Sequence, residues 1–298
     1  MLSGIDYPRK EDIMKKLISL LLAAMMILSL AACGSKGEAG SEPTVAKVID
    51  VELTQEQYAF GVRKDDPQLL ELVNLVVEDM LSSGKFEEIC NNYFGDGTPE
   101  GIISAELGAS DNQLIVATNA EFAPFEYKEG EAYYGIDMEV ANYLAQELGK
   151  QLVIVNMDFD AVCLSVSQGK ADIAMAGLTI TEERKDLVDF SVPYYDAAQK
   201  LVVKADNTEF DACASAADVE AILNAKDSSC KIGVQNGTTG QFYVMGDEDW
   251  GFAGYATECV GYKNGSLAIQ DMLNGNIDYV IIDSAPAAAI TEAINAMR

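Results

Sequence analysis

The sequence predicts an α/β fold with mostly parallel sheets, and three observations predict it. Between residues 113 and 283, short strand-like runs alternate with amphipathic helical runs, as in a parallel sheet with helices on its faces. Residues 278–282 (DYVII) read as a buried strand. The length, 298 residues, suffices for one large or two modest domains with a real core.

Taken in order, the chain opens on an address. Met14, Lys15 and Lys16 give a basic start, and residues 17–30 (LISLLLAAMMILSL) are almost wholly apolar. Small residues then lead into Cys33. That pattern is a secretory signal, too short for a comfortable transmembrane helix. Residues 34–44 (GSKGEAGSEPT) read as a flexible polar tether. Residues 49–52 alternate apolar and acidic like a half-buried strand, and residues 57–62 (QYAFGV) are a second strand candidate. From Pro67 to Leu81 the spacing predicts a helix, with Leu69, Leu70, Leu72, Val73, Val76, Val77 and Met80 on its apolar face. Gly84 breaks it, and residues 85–93 make another helix. Residues 96–112, within a Gly-, Ser-, Asp- and Pro-rich stretch, read as a linker.

The main body follows. Strands are expected at residues 113–118, 151–155, 172–175, 231–235 and 278–282. Helices are expected at 135–149, 161–169 and 267–274. Residues 194–204 cross into a second region, and Asp283 stands at the end of an apolar strand, where functional side chains gather.

Composition limits the chemistry. Net charge is −28 with a pI near 4.1, which argues against nucleic acid as a partner and against charge-driven adhesion to anionic lipid. There is no histidine, so Ser-His and Cys-His catalysis and histidine metal sites are excluded together. Six cysteines occur without C-x-x-C spacing, so no zinc site is expected. Cys213 and Cys230 could pair in an exported protein; buried free thiols are the alternative for these and for Cys90, Cys163 and Cys259.

The most informative stretch is residues 176–195 (AGLTITEERKDLVDFSVPYY). A glycine opens it, where backbone can lie bare to a ligand. Thr179 and Thr181 alternate with Leu178 and Ile180, and Thr181 suits the N-cap of a short helix carrying Glu182, Glu183 and Arg184. One guanidinium, a hydroxyl and exposed N–H groups suit a single carboxylate. The alternative is an exposed strand end whose arginine pairs with a surface acid.

GLTITEER at residues 177–184, coupled to DFSVPYY at 189–195, resembles the signature of family 3 solute-binding proteins, the polar amino-acid receptors of bacterial ABC importers. ATNAEFAPFEY, GIDMEVANYLAQELG, GVQNGTTG and NGNIDYVIIDSAP resemble the family too. So does YAFGVRKDDPQLLELVNLVVEDMLSSGKFEEICNNYFG, which resembles the family's C-terminal end yet comes first here. The resemblance implies a type II periplasmic-binding-protein-like fold: two lobes, two crossover strands as a hinge, and a ligand in the cleft. It implies a circular permutant, with residues 61–95 and 113–195 as lobe 1, residues 45–58 and 201–298 as lobe 2, and the linker joining the ancestral termini. Residues 1–33 resemble a signal peptide ending in a lipobox, which implies lipidation of Cys33 and anchoring to the outer face of the cell membrane.

By residue match, Asp283 takes the ligand α-ammonium, shared with the Gly177 carbonyl and the Thr179 hydroxyl. Arg184 takes the α-carboxylate with the backbone N–H groups of Thr179 and Thr239. Phe122 and Phe159 match aromatic walls, and Asn119, Gln235 and Thr238 match positions that read the ligand side chain. Some glutamine receptors carry an acid and a lysine at the positions of Asn119 and Gln235; the neutral pair here suggests a neutral or polar L-amino acid. Bland alternatives are core packing for the two phenylalanines and helix capping for Asp283. The expected partners are an L-amino acid, the membrane subunits of an ABC permease and the lipid anchor, with no nucleic acid. The expected protein is a monomer without metal or cofactor and is not an enzyme. A dehydratase-like enzyme on the same fold, with Glu121 as its acid or base, and an amino-acid sensor domain are the alternatives.

Overall fold

The computed structural model describes residues 44–297. The expected signal, Cys33 and all of the tether up to residue 43 lie outside the described residues. The chain enters through β1 (Ala46–Val48), β2 (Glu56–Tyr58) and β3 (Gly61–Val62), then the helices Pro67–Ser83 and Lys85–Phe94. Next come β4 (Gln113–Thr118), a three-stranded hairpin sheet of β5 (Glu121–Phe122), β6 (Glu126–Glu129) and β7 (Ala132–Tyr134), and the helix Ile136–Glu147. β8 (Gln151–Asn156), helix Val162–Ser167, β9 (Ile173–Ala174), helix Glu182–Lys185 and β10 (Asp189–Phe190) follow. The last part holds β11 (Tyr195–Ala197), β12 (Gln199–Lys204), helix Ala216–Asn224, β13 (Lys231–Gln235) and helix Thr239–Met245. It closes with β14 (Glu258–Tyr262), helix Gly265–Asn274, β15 (Tyr279–Asp283) and helix Ser284–Ala296.

Two five-stranded sheets result, ordered β10-β3-β9-β4-β8 and β1-β12-β15-β13-β14. They are built alike. In the first, β9, β4 and β8 run parallel, while β3 and β10 join antiparallel. In the second, β15, β13 and β14 run parallel, while β12 and β1 join antiparallel. Parallel strands thus form one side of each sheet, out to the edge strands β8 and β14, and the sheets as wholes are mixed. Between them β2 and β11 pair as an antiparallel ribbon, with Tyr58 opposite Tyr195.

Residues 45–94 contribute to both sheets. β1 pairs with β12, and β3 pairs with β9 and β10. The expected continuous strand at 57–62 is two strands broken at Ala59 and Phe60, because the chain leaves the ribbon there to enter the first sheet. The strand expected at 49–52 lies earlier, at β1. Ile49 and Leu53 still donate to Leu201 and Gln199, but a tight bond from the Val51 N–H to the Ile49 carbonyl kinks the run out of register. Its alternation survives: Ile49, Val51 and Leu53 are buried.

The helix Pro67–Ser83 is capped by Asp66, whose side chain accepts from the Leu69 N–H, and it stops at Gly84, which adopts the left-handed conformation. Leu69, Val73, Val77 and Met80 enter the same core as Leu114, Val116, Phe122 and Phe125. Leu72 turns outward instead, lying too far round the helix from the Val73–Val77 stripe. The linker is fastened rather than loose. Ile102 is buried and bridges to Tyr133, and the Glu139 carboxylate accepts from the Glu100 N–H, the Tyr93 hydroxyl and Asn92. The five described cysteines are free thiols, Cys213 and Cys230 included. Among the described residues no helix is long and apolar enough to cross a membrane.

Candidate functional site

Gly177 opens the site with φ of +53°, and a Cβ there would lie 2.9 Å from the Phe122 ring, so both backbone and space call for glycine. Its N–H donates to Asp137 at 2.9 Å. Thr179 meets Tyr58 in an isolated antiparallel bridge rather than a regular strand end. The ladder uses its neighbours, Leu178 as acceptor for the Ala59 N–H and Ile180 as donor to Gln57. The N–H and carbonyl of Thr179 therefore face away from β2. Thr181 caps the short helix through its hydroxyl, which accepts from the Arg184 N–H.

That cap directs Arg184 inward, where it is 7% exposed. Its Nη1 donates to the Thr179 carbonyl at 2.7 Å and its Nη2 to the Gly237 carbonyl at 2.9 Å. The guanidinium lies 5.1 Å from the centre of the Phe159 ring. None of the ion pairs among the described residues includes it. The alternative of a surface arginine paired with an acid is excluded by this burial.

The facing wall comes from the turn after β13. Gly237 has φ of +73°, and a Cβ there would lie 3.2 Å from the Asp160 Cβ. Thr239 is the first residue of its helix, so its N–H has no carbonyl in a preceding turn. The Thr238 hydroxyl makes a local turn bond to the Gln235 carbonyl. Gln235 Nε2 donates across the gap to Asn119 Oδ1 at 3.0 Å, and Asn119 Nδ2 donates to the Met157 carbonyl at 2.8 Å. Gln235 Oε1 is buried without a partner. Phe122 is buried beside Phe125, with ring centres 6.2 Å apart.

At the other end Asp283 terminates β15 and precedes the helix Ser284–Ala296. It holds the cap position, yet its side chain makes no cap bond. Instead Oδ2 accepts from the Tyr58 hydroxyl at 2.6 Å. Burial, and next the negative charge of Glu56, push its carboxyl up to about 7, against the opposing pull of hydrogen bonds from Tyr58 and Gln199. Glu56 is buried as well and accepts from Thr54, Gln199 and Thr179. Nearby, Asp137 accepts from the Gly177 N–H and the Tyr194 hydroxyl, and burial raises it to about 6. Glu126 is fully buried with neither oxygen bonded; burial, then repulsion from Asp137 and Asp283, raises it well above the usual range.

The expected residues thus gather where β4, β8, β9, β13 and β15 end. Glu56, Tyr58, Gln199, Asp137 and Glu126 were not expected. For Glu56 and Tyr58 a signal existed: in EQY the two alternate with exposed Gln57, so both point to one buried face.

Residues 114–295 match the model of the bacterial extracellular solute-binding proteins, family 3. The chain belongs to this family. It is 40% identical over 95 residues to the arginine-binding extracellular protein of Bacillus subtilis (strain 168), covering 32% of this chain and 37% of that protein. A Neisseria gonorrhoeae protein named "probable histidine-binding protein" is 32% identical over 177 residues, covering 58% of this chain and 59% of that protein. The chain therefore spans less than two thirds of either curated relative. Among solved structures, an ancestral amino-acid-binding protein described as a precursor of cyclohexadienyl dehydratase is similar, with TM-score 0.52 and 34% identity. That match covers 61% of this chain and 75% of the other. The family 3 fold is the two-lobed type II arrangement, and the paired sheets with their connecting ribbon are its two lobes and hinge.

Proposed function

We propose that this chain is the extracytoplasmic receptor of an ABC importer, capturing one L-amino acid in the cleft and presenting it to the permease. One observation carries this reading. Among the described residues, a buried guanidinium without a carboxylate, Arg184, is linked through Thr179 and Tyr58 to two buried carboxylates without a cation, Glu56 and Asp283. A buried charge is tolerated when its opposite arrives, and an amino-acid zwitterion supplies both. Arg184, with the N–H groups of Thr179 and Thr239, is the carboxylate end. Asp283, the Thr179 hydroxyl and the Gly177 carbonyl are the ammonium end. Phe122 and Phe159 form the walls. Gln235 Oε1 favours a side chain that carries a hydrogen-bond donor, such as a neutral amide, with Asn119 beside it and Thr238 shaping the turn.

A cationic side chain is the second reading, favoured by the buried, unbonded Glu126 and by the arginine and histidine in the relatives' names. Catalysis gains less support. Glu121 is bound by Asn264 at 2.6 Å on the rim rather than turned into the cleft. Closure of residues 61–95 and 113–195 against residues 45–58 and 201–298 is the event the permease reads. The circular order is supported by β1 completing one sheet, β3 completing the other, and a family match that begins only at residue 114. Cys33 is proposed as the lipid anchor and the monomer as the working form.

Thermal-shift screening against the twenty L-amino acids tests the reading, since a ligand that binds only the folded form raises its melting temperature. One or a few strong shifts are expected, each abolished in Arg184→Ala. No shift with any of them refutes it.

A further inference from the structure

Glu56 sits on β2, outside every stretch that marks the site in the sequence, yet it touches three separate elements. Its Oε1 accepts from the Thr54 hydroxyl at 2.6 Å and from Gln199 Nε2 at 3.1 Å. Its Oε2 accepts from the Thr179 hydroxyl at 2.7 Å. A threonine hydroxyl has one proton and two lone pairs. With the proton committed to Glu56, the Thr179 oxygen can only accept from the cleft. The Tyr58 proton is likewise committed, to Asp283. Around this end, then, every hydroxyl donor points at a carboxylate and only acceptors face the ligand.

We propose that Glu56 is the positioning residue that makes this end of the cleft selective for an ammonium group, by orienting the Thr179 hydroxyl as an acceptor and by placing a second negative charge beside Asp283. This rests on the amino-acid reading above. A ligand with an α-hydroxyl in place of the α-ammonium meets acceptors only and carries no charge to offset two buried acids, so it is rejected. The charged and titratable groups facing Asp283 are Glu56 and Tyr58 from β2 and Glu126 from β6, with Asp137 and Tyr194 behind Glu126; Gln199 from β12 is the neutral neighbour. None is a cation. Asp283 therefore holds a proton near neutrality in the empty site, and the arriving ammonium displaces it.

Calorimetry with L-glutamine, L-histidine and L-arginine and their α-hydroxy analogues, at pH 6 and pH 8 in buffers of different ionisation heat, tests this. The wild type should release a proton on binding at pH 6, bind about tenfold more tightly at pH 8, and reject the hydroxy analogue. Folded Glu56→Gln should release less of a proton, show a shallower pH dependence and discriminate less against the analogue. Glu56→Asp, too short to hold Thr179, should keep the pH dependence and lose the discrimination. Wild-type behaviour in folded Glu56→Gln overturns the proposal. If no amino acid binds the wild type, the functional reading is what fails. A carboxyl titration of Asp283 by NMR in the empty protein then decides the role of Glu56: it should fall in Glu56→Gln, and an unchanged value overturns the proposal on its own.

Discussion

At the carboxylate end of the cleft, one run of eight residues supplies the guanidinium, its helix cap and the loop backbone that steers it. At the ammonium end, side chains arrive from residues 54–58, 179, 199 and 283, which lie on both sheets and on the ribbon between them. The first end is held mostly by local bonds, with the Gly237 carbonyl its one hydrogen bond from the other sheet. The second exists only when β2, β12 and β15 are in place. On the proposed reading, such a receptor keeps one recognition group on one lobe and assembles the other at the hinge, where closure would be sensed.

The largest effect should come from the local end. Arg184→Ala removes the buried guanidinium of the proposed site and should weaken binding beyond 100-fold by calorimetry, since stripping one partner from a buried pair costs about 3–5 kcal/mol. Arg184→Lys should also lose most affinity. A single ammonium cannot hold the Thr179 carbonyl, the Gly237 carbonyl and a carboxylate in one plane. Full affinity in Arg184→Ala would remove this end from the site altogether.

Asp283→Asn tests the assembled end. It should weaken binding by about 2–3 kcal/mol, a charge-assisted hydrogen bond with part of its desolvation. The pH profile carries the sharper information. If Asp283 meets the ligand ammonium as proposed, binding needs it ionised; burial pushes its carboxyl up to about 7, so affinity should rise with pH up to about 7 and then level off. In Asp283→Asn that slope should vanish. A slope that persists would put the titrating group elsewhere.

The same contrast explains how much the sequence revealed. Residues 177–184 carry their geometry in their order: glycine for the left-handed turn, Thr181 for the cap, Arg184 one turn on. Local structure of that kind is legible because the partners are neighbours. The short apolar run of residues 113–118 and the long apolar face of residues 67–81 were legible for the same reason. Glu56 was not, because its meaning lies in contacts with Thr179 and Gln199, 123 and 143 residues away. Starting the strand at residue 57 also placed Glu56 just outside the pattern that would have shown it buried. The helices Ala216–Asn224 and Ser284–Ala296 were missed too. Alanine-rich and weakly amphipathic, they take their stability from packing more than from pattern: Val219 and Leu223 join the core of Leu201, Ile232 and Ile281, and the helix Ser284–Ala296 packs on β1, β12 and β15.

The acids behind the cleft make a prediction about the empty protein. Asp283 at about 7, Asp137 at about 6 and Glu126 well above its usual range all hold protons that the unfolded chain has released. Raised carboxyls reverse the usual linkage: between about pH 4 and pH 7 the folded state binds more protons, so these groups lower stability as pH rises. Urea unfolding of the ligand-free protein should show that decline. Glu126→Gln breaks no hydrogen bond and should make it shallower. An unchanged slope would mean that Glu126 reaches solvent or a partner in solution.

The smallest effect expected is at the contact between the two ends of the molecule, Gly237. Its carbonyl accepts from Arg184, and a Cβ would lie 3.2 Å from the Asp160 Cβ on the opposing lobe. Gly237→Ala therefore does two things that can be separated. The left-handed backbone, φ of +73°, strains an alanine by about 1 kcal/mol in any state of the cleft, which lowers the melting temperature of the empty protein. The approach to Asp160 exists only when the lobes are closed, so the crowding falls on the ligand-bound form and shows as weaker affinity, about fivefold, through faster release. A melting temperature that falls while affinity stays constant would mean that the turn is strained but not pressed against the other lobe. The mobile part of closure would then lie at the hinge, beside Glu56, rather than at the rim.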